Sequence, residues 1–322
     1  MKTIEIMKND SGQRLDKFLT KRFKTMPAAL MYKYIRKKYI KLNGKKCDAS
    51  VHLNTGDILT LFINDEFWNV PAPDRFDFLK ASRMLDIVYE DENILLTDKK
   101  PGLIVHQDQS YEPDCLINRI HHYLYHKKEY DPNQENSFAP SLANRIDRNT
   151  GGIVMAAKNA ESLKILNSKI KNREVKKYYL CLVFGTLKNK SGTLIHYLEK
   201  NELQNKVYLS EHPNEKSKII KTKYEVLDES NNMSLLKAEL LTGRTHQIRA
   251  HFSHIGHPLV GDGKYGTNAQ NKKAGLYKQA LYSYKLMFDF QSDAGILNYL
   301  NQKEFSVSNV WFEKNGRIKI IN

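Results

Sequence analysis

"ANRIDRNTGGIVMAAK", Ala143 to Lys158, sets a single carboxylate, Asp147, between Arg145 and Arg148. The turn Asn149-Thr150-Gly151-Gly152 follows, then the apolar run Ile153-Val154-Met155-Ala156-Ala157. The run reads as a buried strand, and the glycines allow the backbone to pass close to a neighbour. A phosphate loop, a metal site, a surface ion pair and a catalytic carboxylate all fit the polar part.

The surroundings are rich in strands. "LDIVYEDENILLTDKKPGLIVH" (Leu85 to His106) reads as a strand, an acidic turn, a second strand and a Lys-Pro-Gly turn. Further strands are expected at "YYLCLVFG" (Tyr178 to Gly185), "IIKTKYEVL" (Ile219 to Leu227) and "SLLKAELL" (Ser234 to Leu241). Helical spacing recurs at "PDCLINRIHHYLYH" (Pro113 to His126), "AESLKILNSKIKN" (Ala160 to Asn172) and "HQIRAHFSHIG" (His246 to Gly256). Many strands with few intervening helices predict an α+β fold with a mixed, mainly antiparallel central sheet, not a doubly wound parallel one. Residues Asn189 to Lys218 are polar and show no clear period, so they read as a surface excursion. Asn69 to Met84, with two prolines, reads as a linker. It divides the chain into residues 1–68, a linker 69–84 and a larger unit 85–322.

The front unit is strongly basic. The whole chain carries a formal charge of +15, and between Arg14 and Lys46 twelve Lys or Arg face one acid, Asp16. A lysine-rich genome would spread such an excess; here it is concentrated, which points to a polyanionic partner. Leu15, Phe18, Leu19 and Phe23 follow helical spacing, and Pro27 opens a second helix with Leu30, Met31, Tyr34 and Ile35 on one face. "YIKLNGKKC" then reads as a hairpin around Asn43-Gly44, and "GDILTLFI" as a last strand. The predicted module is a small α/β unit. Its exposed cations for a phosphate backbone are Arg14, Lys17, Lys21, Arg22, Lys33, Arg36, Lys37, Lys38, Lys45 and Lys46.

Composition removes several classes. The 322 residues, 41% of them hydrophobic, suit a globular chain with a large core. No apolar run reaches membrane-spanning length, and the first residues lack a signal-peptide core. Three scattered cysteines argue against a disulfide framework, so a cytoplasmic protein is expected. Neither a Walker-type nor a dinucleotide glycine fingerprint is present, and no Gly-x-Ser-x-Gly. His246, His251, His254 and His257 cluster in sequence, yet no Cys or acid joins them and Arg249 would bring a cation among them, so no metal site is expected. Asp262, in "GDGKYG", is read as holding a turn. Asp147 remains. A carboxylate between arginines is most often a structural ion pair. A guanidinium nevertheless favours the charged form of a carboxylate, which suits a nucleophile or base, and the same arginines could position a phosphodiester.

At these residues the chain resembles the RluA-type pseudouridine synthases. "NRIDRNTGGIVMAAK" is similar to that family's signature around its aspartate, and "TGRTHQIRAHFSHIGHPLVGDGKYG" (Thr242 to Gly266) to its second long signature. "YEDENILLTDKKPGLIVH", "KYYLCLVFG" and "LYSYKLMF" (Leu281 to Phe288) resemble its opening, tyrosine-bearing and closing motifs. "RLDKFL" and "IKLNGK…GDIL" resemble the alpha-L RNA-binding domain often fused to these enzymes. The resemblance implies isomerisation of uridine to pseudouridine in structured RNA, most of all large-subunit ribosomal RNA, in a cleft along the sheet. It implies no metal or organic cofactor; the lack of long apolar runs points to no membrane, and no obligate protein partner is evident in the sequence. It makes Asp147 the nucleophile, Arg249 its charge partner and Tyr179 the ring that stacks on the uracil. Arg145 would hold the flipped-out target, and Arg148, Thr150, Arg244, His246 and Gln247 would bind substrate. Three positions depart from the usual pattern: Asn144 and Tyr282 stand where histidine is usual, and Gly151 where serine is usual.

Overall fold

The computed structural model describes residues 1–68, 76–107 and 112–319. The basic front segment folds where its apolar spacing directs it. β1 (Lys2–Glu5), β2 (Ile40–Leu42), β3 (Lys45–Lys46) and β4 (Ile58–Leu61) form an antiparallel sheet in the order β1-β4-β2-β3. Asn43 and Gly44, with φ of 50° and 74°, make the tight hairpin that the Asn-Gly pair predicts. α1 (Leu15–Arg22) and α2 (Ala28–Arg36) bury Leu15, Phe18, Leu19, Met31 and Ile35 in one core with Ile4, Ile40, Leu59 and Leu61.

A second sheet carries the rest. In chain order its strands are β5 (Ile87–Glu90), β6 (Ile94–Lys99), β7 (Ser141–Leu142), β8 (Gly151–Ala157) and β9 (Val175–Phe184). β10 (Ser191–Asn201), β11 (Lys206–Ser210), β12 (Lys218–Ser230), β13 (Met233–Leu240), β14 (Leu281–Phe288) and β15 (Glu304–Ser306) complete it. Their order is β11-β10-β12-β13-β9-β14-β8-β6-β5, with β7 added on β8 and β15 on β14. Among the described residues only β14–β8 is a parallel pair, so the sheet is mixed and mainly antiparallel.

β8 sits third from the β5 edge, buried at all seven positions. Val154 and Ala156 enter one core with α3 (Leu116–His126) and α5 (Gln247–His254); Ile153, Met155 and Ala157 enter another with α4 (Ala160–Lys171). Covering on both faces explains why this strand reads as an unbroken apolar run.

Two stretches differ from the sequence reading. Residues 189–218 are not an irregular excursion but the β10–β11 hairpin at the sheet's edge. On β10 only His196 and Leu198 are buried, while the other positions carry polar or half-exposed groups that hide the two-residue period. Of the expected linker 69–84, residues 69–75 lie outside the described residues. In its second half a 3₁₀ turn, Asp77–Lys80, buries Phe78 against Tyr125 and Tyr130. The front segment touches the larger sheet's side through Asp10, fully buried, whose carboxylate accepts from Ser137 Oγ at 2.7 Å and Asn136 Nδ2 at 2.9 Å. No described helix is long and apolar enough to cross a membrane.

Candidate active site

Asp147 lies in the loop between β7 and β8, and several bonds hold that loop still. Thr150 N donates to Asp147 O at 3.1 Å, and Gly102 N to Arg148 O at 2.8 Å. Beneath it Lys99, 1% exposed, donates from Nζ to the carbonyls of Lys100 (3.0 Å), Leu103 (2.8 Å) and Arg148 (2.9 Å). Burial pushes this ammonium down to about 7, with the Asp147 and Asp98 charges opposing the fall; three carbonyls match its three N–H groups. Gly152 makes the following turn possible: its φ is 113°, and a Cβ there would lie 2.2 Å from Ser283 O on β14.

α5 supplies the partner. Its cap, His246, adopts a left-handed φ of 52°, and Gln247 ties the helix start to β12 by donating to Lys221 O (3.0 Å) and Thr222 Oγ1 (2.9 Å). Within the first turn, Arg249 donates from Nη1 to Asp147 Oδ2 at 2.8 Å. Its Nε and Nη2 grip both oxygens of the fully buried Asp262 at 2.7 and 2.9 Å. The same Asp262 accepts from Lys264 N and Tyr265 N, so it holds its turn and the guanidinium together. Burial works against the Arg249 charge, but Asp262 and then Asp147 more than restore it, raising it above its ordinary value. Breaking such a buried pair would strand a charge at a cost of about 3–5 kcal/mol. His246 Nε2 stands 3.8 Å from Asp147 Oδ2, and its Nδ1 is 2.9 Å from the Tyr265 hydroxyl. Burial lowers His246 below the usual histidine range, and the Asp147 charge opposes that.

Asp147, Arg249, His246 and Tyr179 line one cavity of about 800 Å³. Tyr179 is 5% exposed on β9, and burial first, then the Asp147 charge, pushes its hydroxyl up to about 12. Strand alternation sends the adjacent Tyr178 to the other face, between the Lys237 and Lys285 ammoniums.

The other expected residues separate. Arg145 and Arg244 stand at the cavity's rim. Arg148 is also at the rim, but its Nε donates to Gly102 O at 3.1 Å and Nη2 is 3.9 Å from Glu112. Thr150 is buried, its hydroxyl accepting from Gln279 Nε2 at 2.9 Å, and the Gln247 amide is fully engaged. The basic front residues lie away from this cavity. Arg14, Lys17, Lys21, Lys33, Arg36, Lys37, Lys38, Lys45 and Lys46 are exposed, and Arg22 packs over the Phe23 and Trp68 rings. Arg14 pairs with Asp16 at 2.8 Å, and Lys21 donates to Gln13.

Sequence reasoning missed Lys99, the Asp262 grip on Arg249, and two further wall residues, His106 and Lys177. Lys177 carried a usable signal, since it stands two residues before Tyr179 on the same face of β9. The clustered histidines divide: His246 faces Asp147 and His257 Nδ1 bonds Phe184 O at 2.9 Å, while His251 and His254 pack against His196.

Comparison with known proteins bears on this geometry. The model of the family "RNA pseudouridylate synthase" matches residues 93–254. An uncharacterized RNA pseudouridine synthase of Mycoplasma capricolum is 33% identical over 96% of this chain and 98% of its own. A ribosomal large subunit pseudouridine synthase C of Vibrio cholerae is 30% identical over 88% of each. Human RNA pseudouridylate synthase domain containing 4, a solved structure, shares the fold with a TM-score of 0.54 at 18% identity, covering 69% of this chain and 87% of its own.

Proposed function

Since the chain belongs to the RNA pseudouridylate synthase family and is an RNA pseudouridine synthase, an isomerase, we propose that Asp147 is its nucleophile and large-subunit ribosomal RNA its substrate. The observation that carries the first half is the 2.8 Å bond from the buried, doubly held Arg249 to Asp147 Oδ2 at a cavity walled by Tyr179. Asp147 Oδ1 has no hydrogen-bond partner among the described residues, so that oxygen is available to a bound nucleotide. The reaction breaks the bond from uracil N1 to ribose C1′, makes a bond from C5 to C1′, loses the C5 proton to solvent and gains one at N1, and any bond that Asp147 forms to the nucleotide is broken again before release. Nothing is oxidised or reduced.

Each side chain has a task in that sequence. The target uridine must leave its stack to reach a walled cavity, at a cost of a few kcal/mol. Tyr179 offsets part of this by stacking on the uracil. With its hydroxyl pushed to about 12, it meets the base as a neutral phenol. Arg249 fixes Asp147 without moving during the reaction, because Asp262 holds its other two nitrogens. Arg145 at the rim helps hold the flipped-out target, Arg244 beside it takes a flanking phosphate, and His246 sits beside the nucleophile.

Residues 1–68 act as an alpha-L-type RNA-binding unit joined by residues 69–84 to a catalytic unit, 85–322, of the RluA type. The Vibrio relative's name supports the ribosomal target. RNA carrying tritium at uridine C5 tests the reading. The wild-type chain should release tritium from large-subunit ribosomal RNA, and Asp147→Asn should bind that RNA normally while release falls by about a thousandfold or more. Unchanged release in Asp147→Asn would remove Asp147 from the chemistry; release from transfer RNA alone would overturn the ribosomal target.

A further inference from the structure

We propose that His196, Glu211 and His254 form a divalent-cation site, of the kind that takes zinc, which ties the β10–β11 hairpin to α5. The three residues come from separate elements: His196 from β10, Glu211 from the residue after β11, and His254 from the last position of α5. His196 Nε2 and His254 Nε2 lie 3.3 and 3.1 Å from the same carboxylate oxygen, Glu211 Oε1. The two rings meet edge to face with centroids 4.7 Å apart, and the three donor atoms all fall within 4.8 Å of one another. Tetrahedral zinc with bonds of about 2.0–2.1 Å keeps its ligand atoms about 3.3 Å apart, so two edges of that figure are already set.

A purely protein network leaves this cluster incomplete. His196 Nδ1 and His251 Nε2 are buried and have no hydrogen-bond partner among the described residues, on rings 5.2 Å apart. His251 is fully buried, its other nitrogen 2.8 Å from Thr222 Oγ1. Two protonated imidazoles facing each other beside one carboxylate would repel. A cation on the Nε2 lone pairs replaces both protons, and it puts the His196 proton on Nδ1, on the ring whose centroid lies 5.2 Å from that of His251. The Glu211 side chain is 66% exposed, so an ion can enter from solvent and keep water in its remaining position. Two imidazoles and a carboxylate suit zinc, cobalt and nickel over magnesium or calcium.

The site would act on the active cavity through the hairpin. Asn205, at the hairpin's turn, lines the Asp147 cavity, and its carbonyl accepts from Lys264 Nζ at 2.9 Å. Val207 N donates to the Tyr265 hydroxyl at 2.9 Å, the same hydroxyl that meets His246. A cation at the hairpin's base therefore steadies one wall of the cavity without touching the reacting atoms.

Cobalt is the probe, added to untagged, chelator-treated protein and followed by its visible absorption. One ion should bind per chain, be displaced by zinc, and slow amide exchange in β10 and β11. Glu211→Gln, an exposed change that leaves packing alone, and His254→Gln should each weaken cobalt by about tenfold or more; His212→Gln, next to the site but outside it, should not. Absence of a stoichiometric ion in the wild type overturns the proposal. So does affinity unchanged in both Glu211→Gln and His254→Gln, which would put the ion on other histidines. None of these outcomes depends on turnover.

Discussion

The chain uses its cations in two opposite ways. On and just after α2, Lys33, Arg36, Lys37 and Lys38 are exposed, and among the described residues no carboxylate pairs with them. At the cavity, Arg249 is 7% exposed and commits each guanidinium nitrogen to Asp147 or Asp262. Exposed, unpaired cations attract a phosphate backbone at long range and lose that attraction as salt screens it. A buried, clamped guanidinium is screened little and is already neutralised, so its effect is to hold one carboxylate in place. On the proposed reading, the same residue type would serve encounter in one region and positioning in the other, with burial and pairing deciding which.

The comparison breaks most readily at Arg249. Arg249→Met should lower turnover on saturating RNA by about a hundredfold to a thousandfold, the range for removing one preorganised electrostatic donor. RNA affinity and its salt slope should stay within error, measured by filter binding across a salt series. A weaker, flatter salt response in Arg249→Met would make it a phosphate ligand and collapse the distinction. Replacing Lys33, Arg36, Lys37 and Lys38 together by glutamine should do the reverse. Affinity at low salt should fall by about tenfold or more, and the logarithmic salt slope should shrink by about 0.7–0.9 for each phosphate no longer neutralised. Saturating turnover should not change. A turnover defect in that variant would show that the front unit shapes the reacting site.

Much of the fold was legible because burial imposed a period on it. α1 to α5 and strands β8, β9, β12 and β13 follow apolar spacing or apolar runs that the sequence displays directly. The β10–β11 hairpin escaped because an edge strand fills its outward positions with polar groups, so composition masked the alternation. The site was legible only through its long motifs. Asp147 and Arg249 are 102 positions apart, and no local rule connects them. Asp262 holds a turn, as its sequence context predicts; its second task, accepting Arg249 Nε and Nη2 on its two oxygens, joins it to a helix 13 positions earlier, which no local pattern shows. Lys99 gives no signal of its own in the sequence, because only the three-dimensional structure shows three carbonyls closing around its ammonium.

Two departures from the family pattern were visible singly, but their relation was not. β14 pairs in parallel with β8 so that Tyr282 stands opposite Gly151, and a Cβ at Gly151 would lie 2.3 Å from the Tyr282 ring. The glycine makes room for the tyrosine, whose hydroxyl donates to Asp98 at 2.7 Å. The rigid half of the comparison depends on this packing, since β8 carries the Asp147 loop. Gly151→Ser alone should cost about 1–3 kcal/mol of stability by overpacking, read by denaturant titration. Adding Tyr282→His should recover a good part of it; simple additivity of the two changes would mean the ring and the glycine are not coupled.

Arg148 gives the smallest effect and the sharpest test, because it has features of both regions. It is exposed like the α2 cations, with 60% of its side chain open. Yet it is tethered like Arg249, its Nε donating to Gly102 O beside the loop that carries Asp147. If exposure decides, Arg148→Gln should weaken RNA affinity by about twofold to threefold, lower the salt slope by no more than a single phosphate's share, and leave turnover alone. If tethering decides, turnover should fall while the salt slope holds. Exposure is the stronger of the two here, since the carbonyl of Arg148 already receives Lys99 and Gly102 N and keeps the loop in place without the guanidinium. The affinity loss at constant turnover is therefore the expected result, and a salt series at saturating and subsaturating RNA separates the two outcomes.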